Sequence, residues 1–196
     1  MISQEQTDPI KIFKEWFKGA HKCGLEEPTA VMLATADNQG RPSARMVLLK
    51  SYSERGFVFY TNLRSRKGRQ LESNPFAALC FHWMPLGRQV RIEGAVSSVS
   101  KEEADSYFSS RERGSQIGAW ASIQSSELID SNALHGRIKK YEKKFSNSDV
   151  PRPEFWSGFC LDPDVIEFWE HGPSRLHERT FFERKGSAWE RKSLYP

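Results

Sequence analysis

An α+β fold dominated by antiparallel strands is what this sequence predicts, and three observations predict it. Short segments rich in Val, Leu, Phe and Tyr recur between residues 30 and 98 with tight-turn signals between them, helical patterns follow, and strand-like segments return after residue 155. With 196 residues, 38% apolar and 28% charged, the chain is long enough to bury a core without a metal or disulfide staple.

The first element opens at Asp8-Pro9, an N-cap residue followed by proline at the first helical position. Ile10, Phe13, Trp16, Phe17 and Ala20 fall on one face of a helix of about three turns. Residues 1–7 ahead of it are expected to be flexible. Strands are then predicted over residues 30–36, 45–52, 56–61, 76–83 and 89–98, with Asp37-Asn38-Gln39-Gly40 and Ser53-Glu54-Arg55-Gly56 as the plainest turns. Strands so closely spaced form an antiparallel sheet or barrel. Ser100-Lys101-Glu102-Glu103 has the S-x-x-E capping-box form and opens a helix to about residue 110. A second helical stretch covers roughly residues 126–145, and its Arg137, Lys139, Lys140, Lys143 and Lys144 read as a solvated face. Pro151-Arg152-Pro153 is a linker, after which residues 155–161, 165–171, 175–184 and 188–194 read as four more strands. Strands on both sides of the helices argue for one domain over residues 1–196, completed by 155–196.

Several chemistries have no footing. The histidines at 21, 82, 135, 171 and 177 show no metal-ligand spacing, and GxSxG, GxxxxGK[ST] and GxGxxG are absent. Cys23, Cys80 and Cys160 are odd in number and far apart, as free thiols in a reducing cytoplasm would be. No apolar run approaches the ~18 residues of a membrane span, and the polar start lacks a signal segment, so a soluble cytoplasmic protein is expected. A net charge of +4 mildly favours anionic partners.

Four segments could bind an anion. Arg45 and Lys50 flank the apolar run Met46-Val47-Leu48-Leu49; ideal alternation points them to opposite faces, so one ligand meets both only if a bulge or strand end re-aims one. A strand through Tyr60-Thr61 runs into Arg64, Arg66, Lys67 and Arg69, where a following helix N-terminus would complete a phosphate cradle; a plain basic turn has the same composition. Tyr107, Arg111 and Ser115 lie on one helical stripe if Gly114 does not end the helix first. Arg175, His177 and Arg179 share one strand face by period two, facing either an anionic ligand or glutamates such as Glu167, Glu170 or Glu178.

Longer strings go further. Arg45-Met46-Val47-Leu48-Leu49-Lys50, Phe59-Tyr60-Thr61-Asn62-Leu63 with Ser65-Arg66-Lys67, Ser115-Gln116-Ile117-Gly118-Ala119-Trp120, and Glu167-Phe168-Trp169 with Arg175-Leu176-His177 resemble the pyridoxine/pyridoxamine 5′-phosphate oxidase family, from Asp8-Pro9 to Pro196. The resemblance implies a six-stranded split β-barrel with flanking helices, and a homodimer with FMN at the subunit interface. It implies FMN contacts from Arg45, Met46, Val47, Leu48, Leu49, Lys50, Tyr60, Thr61, Arg66, Lys67, Gln89, Gln124, Ser125, Trp169 and Arg179. It places a substrate phosphate on Lys50, Tyr107, Arg111 and Ser115, with Arg175, Leu176 and His177 at the pyridine ring and Arg175 and His177 as catalytic residues. Gln89, Gln124, Ser125 and Trp169 carry no signal of their own.

The implied reaction oxidises pyridoxine 5′-phosphate or pyridoxamine 5′-phosphate to pyridoxal 5′-phosphate, with hydride passing to flavin N5 and O₂ reoxidising the flavin to give hydrogen peroxide. Departures from the family pattern are Glu112 where proline is common, Ser157 where a second glycine is common, Glu178 for aspartate and Ser193 for arginine. Only Met1–Thr7 stands where the family often has a lid segment, so lid closure is not expected. The rival readings are another split-barrel FMN reductase, a non-catalytic pyridoxal 5′-phosphate carrier and a nucleic-acid-binding module; no recognition motif supports the last, and nucleic acid and membrane partners are not expected.

Overall fold

The computed structural model describes residues 2, 3 and 5–196. The expected flexibility of 1–7 falls partly on Met1 and Gln4, which lie outside the described residues. Around them the backbone carbonyls of Ile2, Ser3 and Gln6 all accept from the Arg191 guanidinium.

Helix α1 (Pro9–Ala20) begins where Asp8 accepts from the N–H groups of Ile10 and Lys11, at 2.9 and 3.2 Å. It buries Ile12, Phe13 and Trp16 against the sheet, and the Phe13 ring meets Phe57, Tyr52, Phe81 and Trp83. The strands are β1 (Ala30–Ala36), β2 (Pro42–Leu48), β3 (Ser51–Ser53), β4 (Gly56–Asn62), β5 (Phe76–Trp83), β6 (Arg88–Ser98), β7 (Trp156–Glu170), β8 (Glu178–Lys185) and β9 (Ala188–Leu194). All pair antiparallel in the order β2-β1-β5-β6-β7-β4-β3, with β8 and β9 continuing from β7. The two ends of this path, β2 and β3, are consecutive in the chain, so the sheet curls around a core of Leu33, Phe57, Leu79, Phe81, Ile92 and Phe168. The fold is mainly β, as expected, and its barrel strands belong to a nine-stranded sheet.

Four predicted strands are corrected. Residues 45–52 are not one strand: β2 stops at Leu48, the Leu49 N–H turns to Thr29 O and the Lys50 N–H to Val58 O, both at 2.9 Å. The strands expected over 155–161 and 165–171 are one strand, β7, because a bulge at Asp164, opposite the step from Glu93 to Gly94, carries the strand past Pro163, which has no N–H to give the ladder. The strand expected over 175–184 begins only at Glu178.

The other helices are α2 (Arg66–Ser73), α3 (Lys101–Ser109), α4 (Arg113–Ala121) and α5 (Ser131–Lys144). Tyr107, Arg111 and Ser115 therefore do not share one helix: α3 ends at Ser109 and Ser115 belongs to α4. Buried Gln116 joins the two, its Nε2 donating to the end carbonyls Phe108 O and Ser109 O at 3.0 and 3.3 Å. Nor is the basic part of α5 wholly solvated, since Arg137 donates to the last carbonyls of α4 and Lys144 lies 5.2 Å over the Trp120 ring. No helix among the described residues is long and apolar enough to cross a membrane.

Candidate active site

A cavity of about 630 Å³ opens between the ends of β2 and β4, the start of β7, and α2, α3 and α4. It collects Met46, Val47, Leu48, Lys50, Tyr60, Thr61, Lys67, Tyr107, Arg111, Ser115 and Gln124 from the predicted set. The break after Leu48 takes Lys50 out of strand alternation and leaves it on the cavity wall, the re-aiming that ideal geometry denied it.

One wall is a phosphate-sized polar cluster. Lys67 Nζ donates to Thr61 Oγ1 at 3.1 Å and to Gln124 Oε1 at 3.2 Å. The Arg66 N–H, in the first turn of α2, donates to Ser125 Oγ at 3.2 Å, and Ser125 holds φ 70° to reach it. Ser65 caps α2 through the Gly68 N–H. Gly68 is required here, because a Cβ would stand 2.1 Å from Leu63 O. Beside this cluster Arg45 donates to Thr35 Oγ1 at 2.6 Å and to Gln70 Oε1 at 3.3 Å, both neutral partners. Burial, then the neighbouring Arg45, pulls the Lys67 ammonium below its usual range. Among the described residues no carboxylate pairs with Arg45, Arg66 or Lys67.

The opposite wall is aromatic and cationic. Tyr60 stacks on Tyr107 at 4.0 Å and on Trp156 at 5.3 Å, and the Arg111 guanidinium lies 4.8 Å over Trp156. Burial pushes the Tyr60 hydroxyl up to about 12, so it stays a protonated donor. Arg111 Nη1 is buried with no hydrogen-bond partner, a costly state for a cation and one that an entering anion would relieve. Burial also lowers the Arg111 pKa, against the opposing influence of Tyr107. Next to it the N-terminus of α4 has no side-chain cap, and Glu112, its N-cap residue, is the one carboxylate among the described residues that lines the cavity.

A second group lies elsewhere. Gln89 faces Trp169, and Trp169 faces Arg179, across β6, β7 and β8. The His177 ring lies 4.5 Å from the Trp169 ring, tilted 43° to it. Arg179 is held by buried Glu167, with Nε–Oε1 2.7 Å and Nη2–Oε2 3.1 Å, and Arg91 reaches the same carboxylate at 3.2 Å. Arg175 sits in the turn before β8 with φ 63°, so the period-two face expected for Arg175, His177 and Arg179 does not form. Leu176 is exposed in the same turn, whereas Leu49 is packed in the core. Trp156 stands at the first group and Trp169 at the second, near opposite ends of the 15-residue β7, whose extended contour is on the order of 45 Å.

Sequence reasoning missed Asn62, Glu112 and Trp156 on the cavity wall. Trp156 had a signal in its place, as the first strand residue after the Pro151–Pro153 linker and in register with Asn62.

The chain is similar to known proteins. Residues 17–145 match the family model described as pyridoxamine 5′-phosphate oxidase, and residues 156–196 match the pyridoxine 5′-phosphate oxidase C-terminal dimerisation region. A pyridoxine/pyridoxamine 5′-phosphate oxidase from Myxococcus xanthus strain DK1622 is 51% identical, covering 96% of this chain and 92% of the relative. One from Rhodospirillum rubrum is 50% identical over the full length of both. The crystal structure of PhzG from Burkholderia lata 383, in complex with tetrahydrophenazine-1-carboxylic acid, is 33% identical with TM-score 0.93 and covers 98% of this chain and 95% of that one. An FMN-binding protein from Nostoc punctiforme, 17% identical with TM-score 0.77, shares the fold. Matched along nearly its whole length by both models and by relatives half identical to it, the chain belongs to the pyridoxamine 5′-phosphate oxidase family.

Proposed function

We propose that this enzyme oxidises pyridoxine 5′-phosphate and pyridoxamine 5′-phosphate to pyridoxal 5′-phosphate with bound FMN and O₂, in vitamin B6 synthesis and salvage. The observation that carries this reading is the buried, unpartnered Arg111 Nη1 in a cavity that also presents Lys50, Tyr107 and Ser115. That set suits a phosphomonoester. The neutral-partnered cations Arg45, Arg66 and Lys67, with Thr61, Gln124 and Ser125, fit a second phosphate, that of FMN. FMN, when bound, supplies the two-electron acceptor, with O₂ as terminal oxidant.

The chain's own residues bind and orient. Lys50, Tyr107, Arg111 and Ser115 fix the substrate phosphate, and Met46, Val47 and Leu48 supply an apolar backbone ledge for the flavin ring. Arg175 and His177 address the pyridine ring, Arg175 by a permanent charge that pins the orientation of the substrate. Gln89, Trp169 and Arg179 contact FMN. Because these residues sit near the far end of β7 from the cavity, they serve the cavity of a second subunit, and the working unit is a homodimer with FMN at its interface. The overall changes are pyridoxine 5′-phosphate + O₂ → pyridoxal 5′-phosphate + H₂O₂, and for the amine an added water with release of ammonia.

An absorbance spectrum of the purified protein tests this, followed by anaerobic addition of pyridoxine 5′-phosphate. A flavin spectrum that bleaches and recovers in air is expected. A protein that stays colourless and inert after FMN is supplied would favour a carrier of pyridoxal 5′-phosphate. A yellow protein that does not bleach would discard the substrate.

A further inference from the structure

The loop between β7 and β8 closes on itself through His177. The Gly172 N–H donates to His177 Nδ1 at 3.3 Å, and a backbone N–H can only donate. Nδ1 is therefore the unprotonated nitrogen, which in a neutral imidazole leaves the proton on Nε2. Three features hold the loop in this shape. The Leu176 N–H donates to Pro173 O at 3.0 Å. Ser174 and Arg175 both take left-handed backbone angles, φ 54° and 63°, which non-glycine residues adopt only where the surroundings impose them. Gly172, itself in an ordinary extended conformation, approaches so closely that a Cβ would stand 2.0 Å from Leu176 O. The Trp169 ring lies 4.5 Å from the imidazole, tilted 43° to it.

We propose that this clasp presets His177 as a hydrogen-bond donor through Nε2, with Gly172 as the positioning residue. The role rests on the reading above that His177 meets the pyridine ring. Oxidation of the alcohol removes a hydride from C4′ and a proton from its hydroxyl. A nitrogen that already carries a proton cannot take that one, so the hydroxyl proton passes to water, while Nε2–H donates to the electron-rich 3-oxygen of the ring. His177 is thus an orienting donor and not the general base.

Nitrogen-15 spectra of the protein as purified, above the histidine titration range, test the tautomer, with His177→Gln providing the assignment. The expected result is a protonated Nε2 and an unprotonated Nδ1 for His177; a proton on Nδ1 overturns the proposal. In Gly172→Ala the tautomer signature is expected to disappear and kcat to fall about tenfold or more with KM nearly unchanged. A Gly172→Ala protein with the wild-type signature and kcat overturns the positioning role. The wild-type spectrum decides the tautomer even if that variant does not fold. It needs no substrate: the expected tautomer without turnover sinks the oxidase reading alone, and Nδ1–H with full turnover sinks this inference alone.

Discussion

Gly158 lies directly against the face of Tyr60, opposite it in the β4–β7 register, and a Cβ on Gly158 would stand 2.7 Å from Tyr60 Cε1. The missing side chain is what lets the Tyr60 ring fold down into its stack with Tyr107 and Trp156. Gly158→Ala is expected to push the ring out, destabilise the fold by about 1–3 kcal/mol and weaken phosphate-ester binding. Thermal melts together with substrate titration check both effects; a variant with unaltered melting and affinity would refute the packing argument.

Arg111 and Arg175 are expected to divide binding from turnover. Loss of the buried guanidinium in Arg111→Ala is expected to raise KM roughly 10- to 100-fold, from about 1.5–3 kcal/mol per charged hydrogen bond, with kcat less affected. Arg175→Ala is expected to lower kcat. In the proposed dimer the two arginines of one site come from different subunits, so mixing the two variants under subunit exchange should restore about a quarter of wild-type activity, since half the dimers would carry one intact site. No recovery in a mixture proven to exchange would place both arginines on one chain's site.

Lys67 ties anion binding to alkaline pH. Its folded pKa lies below the ordinary 10.5, chiefly through burial and then through Arg45. The penalty for holding its charge is fully present below the folded pKa and is relieved as pH rises toward 10.5, because the unfolded chain then binds more protons than the folded one. Ligand-free protein should therefore gain stability over that window relative to Lys67→Met, and bound FMN should abolish the gain by restoring the ammonium's counter-charge. Melting curves of both proteins across the window, with and without FMN, measure it. Lys67→Met should also raise the FMN Kd about 10- to 100-fold.

Glu167 is 2% exposed and anchors two arginines from neighbouring strands. Glu167→Ala leaves both unpaired and should cost on the order of 3 kcal/mol, the low end for a buried pair because Arg91 and Arg179 keep solvent access. FMN affinity should fall as Arg179 loses its orientation, whereas Arg91→Ala should lower stability with a smaller effect on FMN. Fluorescence titration of apoprotein with FMN separates the two variants; equal FMN losses would make the cluster purely structural.

Much of this was legible in local chemistry. Asp8-Pro9 announced α1, Ser100-x-x-Glu103 announced α3, and β1 and β5 fall on the predicted residues. The misses share a cause, which is that tertiary pairing overrode local pattern. Nothing local marks the stop at Leu48, because the Leu49 and Lys50 N–H groups find partners on Thr29 and Val58, distant in sequence. Residues 162–164 fell between two predicted strands, yet a bulge at Asp164 carries β7 through them. Helix α4, with Gly114 and Gly118, has weak intrinsic propensity and is held by Gln116, Arg137 and the Trp120 hydrogen bond to Pro151 O. At the site, cations and hydroxyls stood out in the sequence, and Glu167 was among the glutamates expected to pair with Arg179, as it does, whereas Trp156 looked like any core aromatic until the sheet set it beside Arg111.

Strand β7 acts as a gauge block for the two groups of side chains it carries. One strand holds Trp156 near one end and Trp169 near the other, so its residue count sets the spacing between the cavity and the second group. Losing a single residue between them would turn Trp169 to the opposite face and shorten that spacing. The loops at either end can vary in sequence, but the length of β7 cannot change without moving one group against the other.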